Sequence, residues 1–263
     1  MKYVVFQGGL GNQIFQYAYY KYMQKKIPTL SFLFASGNSH NGFELSKWFE
    51  TQMHSPSLIV KLMFKIVYLL KLKGICDFIV PEEEYPQKDG LFVSGYWQDK
   101  KYYQKGFIKF KKLTLSPKNE LLVRDMNNCQ SVAIHVRRGD YIRPPYDKIY
   151  GGICTIDYYK QAVDIICQYL ESPKFYVFSD DIAWVKNNLK LKNAVFVDWN
   201  IGKDSIYDMY LMSQAKANVI ANSTFSYWGA YLNEKTRIVV YPKKWFASKF
   251  IAPNIFPDDW FGI

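Results

Sequence analysis

Short apolar runs recur along the chain, each closed by glycine or by a polar cluster. Tyr3-Val-Val-Phe6 is the first, and Leu91-Phe-Val, Val132-Ala-Ile134, Phe175-Tyr-Val-Phe178, Ala194-Val-Phe-Val197, 217–220 and 237–241 follow. Runs of this kind fit strands buried on both faces of a parallel sheet. Between them apolar residues return at helical spacing. Ile14, Phe15, Ala18 and Tyr22 mark a helix over 14–26 that stops before Pro28, and helices are also predicted at 155–167 (capped by Thr155), 182–189, 204–215 and 223–232. Strand–helix alternation predicts an α/β fold with parallel strands and covered faces. The pattern restarts at Ser131, after a crossover over 111–128. Two Rossmann-like domains are therefore expected, 1–118 and 119–263, with the last segment packing back on the first half.

Three stretches depart from this alternation. Residues 28–55 are mixed and polar, with a loop expected at 37–42. Pro81 to Pro86 reads as a loop whose acids are solvated. From Ser57 to Lys73 the chain is apolar but carries Lys61, Lys65, Lys71 and Lys73. That is too short and too charged to span a bilayer. It reads as a buried helix with a solvated lysine edge, and an interfacial helix in peripheral contact with a membrane is the alternative.

Composition narrows the function. The chain of 263 residues carries a formal net charge of +11, which suits an anionic partner. Its lysines are scattered in pairs rather than gathered in an arm, which argues against a nucleic-acid tail. Cys76, Cys129, Cys154 and Cys167 lack zinc-type spacing and only three histidines are present, so no metal site is expected and the cysteines read as reduced core residues. No secretory segment precedes the first strand, which suggests a cytoplasmic protein.

Candidate chemistry gathers at strand ends. Gly8-Gly-Leu-Gly-Asn-Gln13 follows the first strand, but position 14 is Ile14 and the first acid of the chain is Glu44. A dinucleotide fingerprint needs glycine at position 14 and an acid about twenty residues further on, and both are missing, so a nicotinamide site is excluded. A turn remains that offers N–H groups and Asn12 to a phosphate or a sugar hydroxyl, or that is simply a turn. The richest stretch is Ser131-Val-Ala-Ile-His-Val-Arg-Arg-Gly-Asp-Tyr141. Adjacent guanidiniums beyond a buried strand repel one another unless an anion joins them. Arg137 and Arg138 are candidates for a diphosphate clamp at the carboxyl end of a parallel strand, or for an Arg–Asp strut with Asp140. Asp180 and Asp181 close a later strand and fit either a metal pair or recognition of a base. Ser223, Thr224 and Ser226 open a helix, where they serve a phosphate or act as caps.

His135-Val-Arg-Arg-Gly-Asp-Tyr141 resembles the signature of the α-1,2-fucosyltransferase family and, more distantly, a segment of the α-1,6- and protein O-fucosyltransferases. Gly8–Gln13, Gly95-Tyr-Trp-Gln98, Phe178-Ser-Asp-Asp181 and Asn222-Ser-Thr-Phe-Ser-Tyr-Trp-Gly-Ala230 also look like family segments, in the family's order. The resemblance implies a GT-B fold with two Rossmann-like domains facing across a cleft. It implies an inverting transfer of L-fucose from GDP-β-L-fucose to the 2-hydroxyl of a β-galactoside in a surface polysaccharide or O-antigen, without cofactor or metal. By resemblance, His135, Arg137, Arg138, Asp180, Asn222, Ser223, Thr224 and Ser226 bind the donor. Gly9, Gly11, Asn12, Gln13 and Tyr141 lie toward the cleft or acceptor, and Arg137, Asp140 and Asn12 are the catalytic candidates. Asp140, Asp147 and His135 all stand as candidate bases. Competing readings are a fucosyltransferase of other acceptor or linkage, and a non-catalytic nucleotide-binding protein of the membrane surface.

Overall fold

The computed structural model describes residues 2–35, 41–53, 56–248 and 252–263. The chain forms two units, Met1–Lys111 and Lys112–Ile263.

The first unit is built on β1 (Tyr3–Phe6), buried at every position. The chain then forms α1 (Leu10–Gln24), β2 (Ser31–Phe34), the short α2 (Leu45–Trp48), α3 (Leu58–Leu72), β3 (Ile79–Pro81) and β4 (Phe92–Ser94). The strands lie in the order β2-β1-β4-β3, and every pairing is parallel. β2 falls within a segment that looked polar throughout, and β3 ends on the first residue of the expected acidic loop. Glu82 just beyond is not solvated. Its carboxylate accepts the Tyr96 and Trp97 N–H groups at 2.9 and 2.8 Å, and burial raises its pKa. The 37–42 loop falls largely outside the described residues.

α3 differs from expectation in burial. Of its residues only Val67 is fully buried, while Val60, Met63 and Phe64 pack against Tyr3, Val5, Leu33 and Phe92. Leu58, Ile59, Leu62, Ile66, Leu69 and Leu72 stand in the open. A sheet face takes one side of a helix, and apolar spacing along the chain does not say which residues take that side. No helix among the described residues is long and apolar enough to cross a membrane.

The second unit contains α4 (Pro117–Asn127), β5 (Ser131–Val136), α5 (Asp147–Tyr150), α6 (Ile156–Tyr169), β6 (Lys174–Ser179), α7 (Ile182–Asn188) and β7 (Ala194–Val197). α8 (Ile206–Met212), β8 (Ala217–Val219), α9 (Thr224–Tyr231), β9 (Ile238–Tyr241) and β10 (Phe261–Gly262) complete it. Its sheet runs β10-β9-β8-β5-β6-β7, again all parallel. The tail stays in this unit, because β10 pairs with β9.

The division falls at Lys111/Lys112 rather than 118/119, and side-chain bonds inside the second unit explain why α4 goes with it. Asn119 is buried. Its Nδ2 donates to Asn200 Oδ1 at 3.0 Å, its Oδ1 accepts Trp199 Nε1 at 2.7 Å, and Asn200 Nδ2 donates to Asp208 Oδ1 at 2.8 Å. Buried polar groups are tolerated when they satisfy one another in this way.

Burial raises the Asp208 carboxyl from 3.8 to about 7. A group whose folded pKa is raised keeps its proton in the native state while the unfolded chain loses it, so stability falls as pH rises from about 4 to 7. Asp208→Asn should match the parent at pH 4 and exceed it by a few kcal/mol at most at pH 8. Urea melts at the two pH values measure this, and equal gains at both would contradict it.

Candidate active site

β5 fixes the site in the second unit. Val132, Ile134 and Val136 turn to α6, where Tyr158, Tyr159, Ala162 and Ile166 cover them. Alternation sends His135 to the opposite face, with its ring 5.9 Å from that of Phe225 in the first turn of α9. The chain runs from β5 to β6 and β7 on one side, then crosses to β8 on the other. Strand order therefore reverses at β5, and ligands of open α/β sheets sit at the carboxyl ends of strands at such a reversal.

The arginines found more partners than the motif contains. Arg137 Nη2 donates to Asp140 Oδ1 at 2.7 Å, and its Nη1 meets Asp180 Oδ2 at 2.9 Å. Asp180 Oδ1 also accepts the Arg138 backbone N–H at 2.9 Å. Arg138 turns away, pairing through Nε with Asp181 Oδ2 at 3.1 Å, and its guanidinium lies 3.6 Å from the centre of the Trp184 ring. Asp181 Oδ1 caps α7 by accepting Trp184 N–H at 3.1 Å. The two guanidiniums are thus neutralised by Asp140 and by Asp180 and Asp181 just past β6, so no external anion is needed to hold them. Asp180 positions Arg137, and Arg138 with Asp181 and Trp184 forms a brace behind it. Gly139 permits the closure, because a Cβ there would come 2.4 Å from Asp180 Oδ2.

Arg137 has five N–H donors, and the two carboxylates take two of them. Asp140 Oδ2 appears in no bond among the described residues. Asp147 Oδ1 is buried without a hydrogen-bond partner among them, as is His135 Nδ1. Burial, reinforced by Arg137, lowers the His135 pKa to about 3. The imidazole is neutral at physiological pH and a poor general base, which leaves Asp140 and Asp147.

Several expected ligand residues have structural duties instead. Asn222 is buried, its Nδ2 donates to the Tyr150 and Trp245 carbonyls at 3.1 Å each, and its Oδ1 accepts from Cys154 Sγ at 3.5 Å. Tyr141 donates its hydroxyl to the Asn222 carbonyl at 3.1 Å and stacks on Tyr150 at 4.7 Å. Ser226 donates back to Ser223 O at 3.1 Å. Ser223 occupies the N-cap position of α9 but makes no side-chain cap bond, so the hydroxyls of Ser223 and Thr224 lie beside first-turn N–H groups that have no intrahelical acceptor. The thiols at Cys76, Cys129, Cys154 and Cys167 are free; Cys154 is pushed up to about 12 by burial and Cys167 is exposed rather than in the core.

In the first unit the strand order reverses beside β1, and two motifs meet there. α1 starts at Leu10, not at 14, with Gly9 as N-cap. Gly11, Asn12 and Gln13 thus belong to its first turn, and the left-handed residue is Gly8, with φ of +78°. Gln13 is wholly buried. It donates to the Gly8 and Gly42 carbonyls and accepts from the Glu44 and Leu45 N–H groups at 2.9–3.2 Å; it is scaffold. Asn12 Oδ1 accepts from Gln98 Nε2 at 3.2 Å, joining the glycine turn to the Gly95–Gln98 turn.

Among the described residues no group of three or more His, Cys, Asp or Glu side chains is placed to hold a metal. Sequence spacing reads Trp184 as helix packing and Glu82 as solvated; it does not show the stacking of Trp184 on Arg138 or the bonds from Tyr96 and Trp97 to Glu82.

The low His135 pKa has a sign. The unfolded imidazole takes a proton near pH 6.5 and the native one near 3, so this group's contribution is intact above about 6.5 and is lost as pH falls toward 3. His135→Gln should flatten the acid limb of a pH–stability curve. An unchanged limb in a folded variant would show the ring is not buried neutral.

The family model described as glycosyl transferase family 11 matches residues 1–263. An alpha-1,2-colitosyltransferase of Escherichia coli is 31% identical, the match covering 91% of this chain and 90% of that one. The O-antigen biosynthesis glycosyltransferase WbnK, also of Escherichia coli, is 29% identical over 93% and 95%. The Bos taurus galactoside 2-alpha-L-fucosyltransferase SEC1 is 31% identical over 50% of this chain and 38% of its own length. Among solved structures, fucosyltransferase NodZ from Bradyrhizobium superposes with a TM-score of 0.56 at 12% identity, covering 90% and 93%. That likeness is one of fold, the GT-B class of paired parallel α/β units. Matched over its whole length, the chain belongs to glycosyl transferase family 11.

Proposed function

We propose that this glycosyltransferase moves L-fucose from GDP-β-L-fucose to the 2-hydroxyl of a terminal β-galactoside, inverting at the anomeric carbon. The observation that carries the reading is Arg137, held by Asp140 and Asp180 at the strand-order reversal with spare donors. The acceptor oxygen bonds to the fucose anomeric carbon as the bond from that carbon to the β-phosphate oxygen breaks. GDP leaves with the electron pair, and Arg137 stabilises the charge that develops on it. The first turn of α9, with Ser223 and Thr224, offers N–H and hydroxyl groups to the same diphosphate. Asp140 takes the acceptor proton on its unbonded oxygen. Neutral His135 donates or accepts one hydrogen bond toward the nucleotide.

The relatives' names support the α-1,2 linkage and an acceptor in a surface polysaccharide of the O-antigen kind. They also support a second donor, GDP-colitose, whose sugar is L-fucose lacking the 3-hydroxyl. We take the transfer to need no divalent ion, because Asp140, Asp180 and Asp181 each already pair with a guanidinium.

The test uses the purified full chain, both nucleotide sugars and an array of β-galactosides, with product linkage read by NMR and with EDTA in a parallel arm. Fucose on the galactose 2-hydroxyl, formed equally in EDTA, is expected. Transfer from GDP-colitose alone would replace the donor, and no donor cleavage with any acceptor would end the enzyme reading. Arg137→Lys and Arg137→Ala should lower turnover about 10²–10³-fold, because lysine lacks the forked geometry. Both pairs are partly exposed, so the melt should move by no more than about 1 kcal/mol. Near-normal turnover in folded Arg137→Ala would end the clamp role.

Gly139→Ala forces Asp180 off its position and should also depress turnover, by at least about tenfold, while Ser223→Ala keeps the ion pairs. An active Gly139→Ala enzyme would mean that Asp180 does not set the place of Arg137.

A further inference from the structure

We infer that the outer face of α3 is a docking surface for an anionic lipid bilayer, on which the helix lies in the plane of the headgroups. The inner face is spent on the first sheet through Val60, Met63, Phe64 and Val67. Helical spacing places Leu58, Leu62, Ile66 and Leu69 together on the other side, with Ile59 and Leu72 at its margins. These are large aliphatic residues with little cover: Leu58 is 81% exposed, Ile59 78% and Leu72 67%. Ile75 and Phe78, just past the helix, extend the patch at 66% and 55%. A contiguous apolar face of this kind marks an interaction site.

Charge selects the occupant. Between Glu50 and Asp77 the chain has no acid, whereas Lys61, Lys65, Lys71 and Lys73 all fall there. Lys71 is committed to the Ile79 carbonyl and Asp77. Lys61 and Lys65 are exposed; helical spacing puts Lys61 at the edge next to Leu72 and Lys65 within the outer face, between Leu72 and Leu58. A helix of this kind buries its leucines and isoleucines among acyl chains, while its lysines extend their apolar stems along them and set their ammonium groups against lipid phosphates. A second copy of the same face is a poorer partner, since it would bring like charges together.

Flotation of the full chain with vesicles tests this. Phosphatidylcholine vesicles form one arm, and vesicles with about a third phosphatidylglycerol form the other, each at low and high salt. Binding to the anionic vesicles, weakened by salt, is expected. Lys61→Gln/Lys65→Gln should lose about thirtyfold in affinity for them, and Leu62→Gln/Ile66→Gln should lose binding to both. These side chains lie on the solvent face, so transfer to a soluble acceptor and the melt should be unchanged. Leu58→Gln/Leu69→Gln is the second variant should the first fold poorly. The surface assignment fails if anionic vesicles bind no better than neutral ones, or if Leu62→Gln/Ile66→Gln still binds. It fails equally if the chain only forms dimers that this variant breaks. Because activity on a soluble acceptor is read separately, a failure here is distinct from a failure of the transferase reading.

Discussion

The contact on which the second unit's site depends is the ion pair between Arg137 and Asp180, 2.9 Å apart. It joins the ends of two adjacent strands, β5 and β6, just beyond their buried residues. Both side chains are roughly a quarter to a third exposed, at 30% and 27%, so the pair adds little stability. Its value is positional. The second Asp180 oxygen takes the Arg138 backbone N–H, which fixes the carboxylate before it fixes the guanidinium. Behind it, Arg138, Asp181 and Trp184 close a separate layer that keeps the neighbouring arginine out of the way.

Much of this architecture was legible in the chain because buried parallel strands are written as apolar runs, and β1, β5, β6 and β7 stood out. Motifs at their ends were legible because glycine, arginine and acid cluster where a strand stops. Other features were hidden for physical reasons. β3 is short and ends in proline, and β2 lies inside polar sequence. The start of α1 at Leu10 was masked by glycines that usually mark a turn but here serve as an N-cap and a first helical turn. Which acid meets which arginine was unreadable, since Asp180 reaches Arg137 only through the strand register of β5 and β6. Asn222 and Gln13 illustrate a related limit. Their positions suggested ligand contacts, yet their amides are filled by backbone partners supplied from distant loops.

The open face of α3 was ambiguous for a different reason. Apolar content predicts burial only if something is available to cover it, and the first sheet covers one side. The sequence alone pointed to a buried helix. The structure shifts the weight to the surface alternative, because one helix presents two apolar faces and the sheet can accept one.

The charge balance at the site constrains how a donor would be held. Arg137 and Arg138 are matched by Asp140, Asp180 and Asp181, so the cluster carries no excess of positive charge to attract a diphosphate. Recognition must then come from directed donors, namely the spare N–H groups of Arg137 and the first turn of α9. A phosphate oxygen that takes the spare N–H groups of Arg137 weakens its pairing with the two carboxylates, and they are not equally replaceable. Asp180 is held a second time by the Arg138 N–H, whereas Asp140 is bound to Arg137 through one oxygen alone. Asp140 is therefore the one that yields. On the proposed reading, donor binding frees a carboxylate beside the reacting centre at the step where the acceptor hydroxyl must lose its proton. The same guanidinium then serves in turn as the partner of the base and of the leaving group.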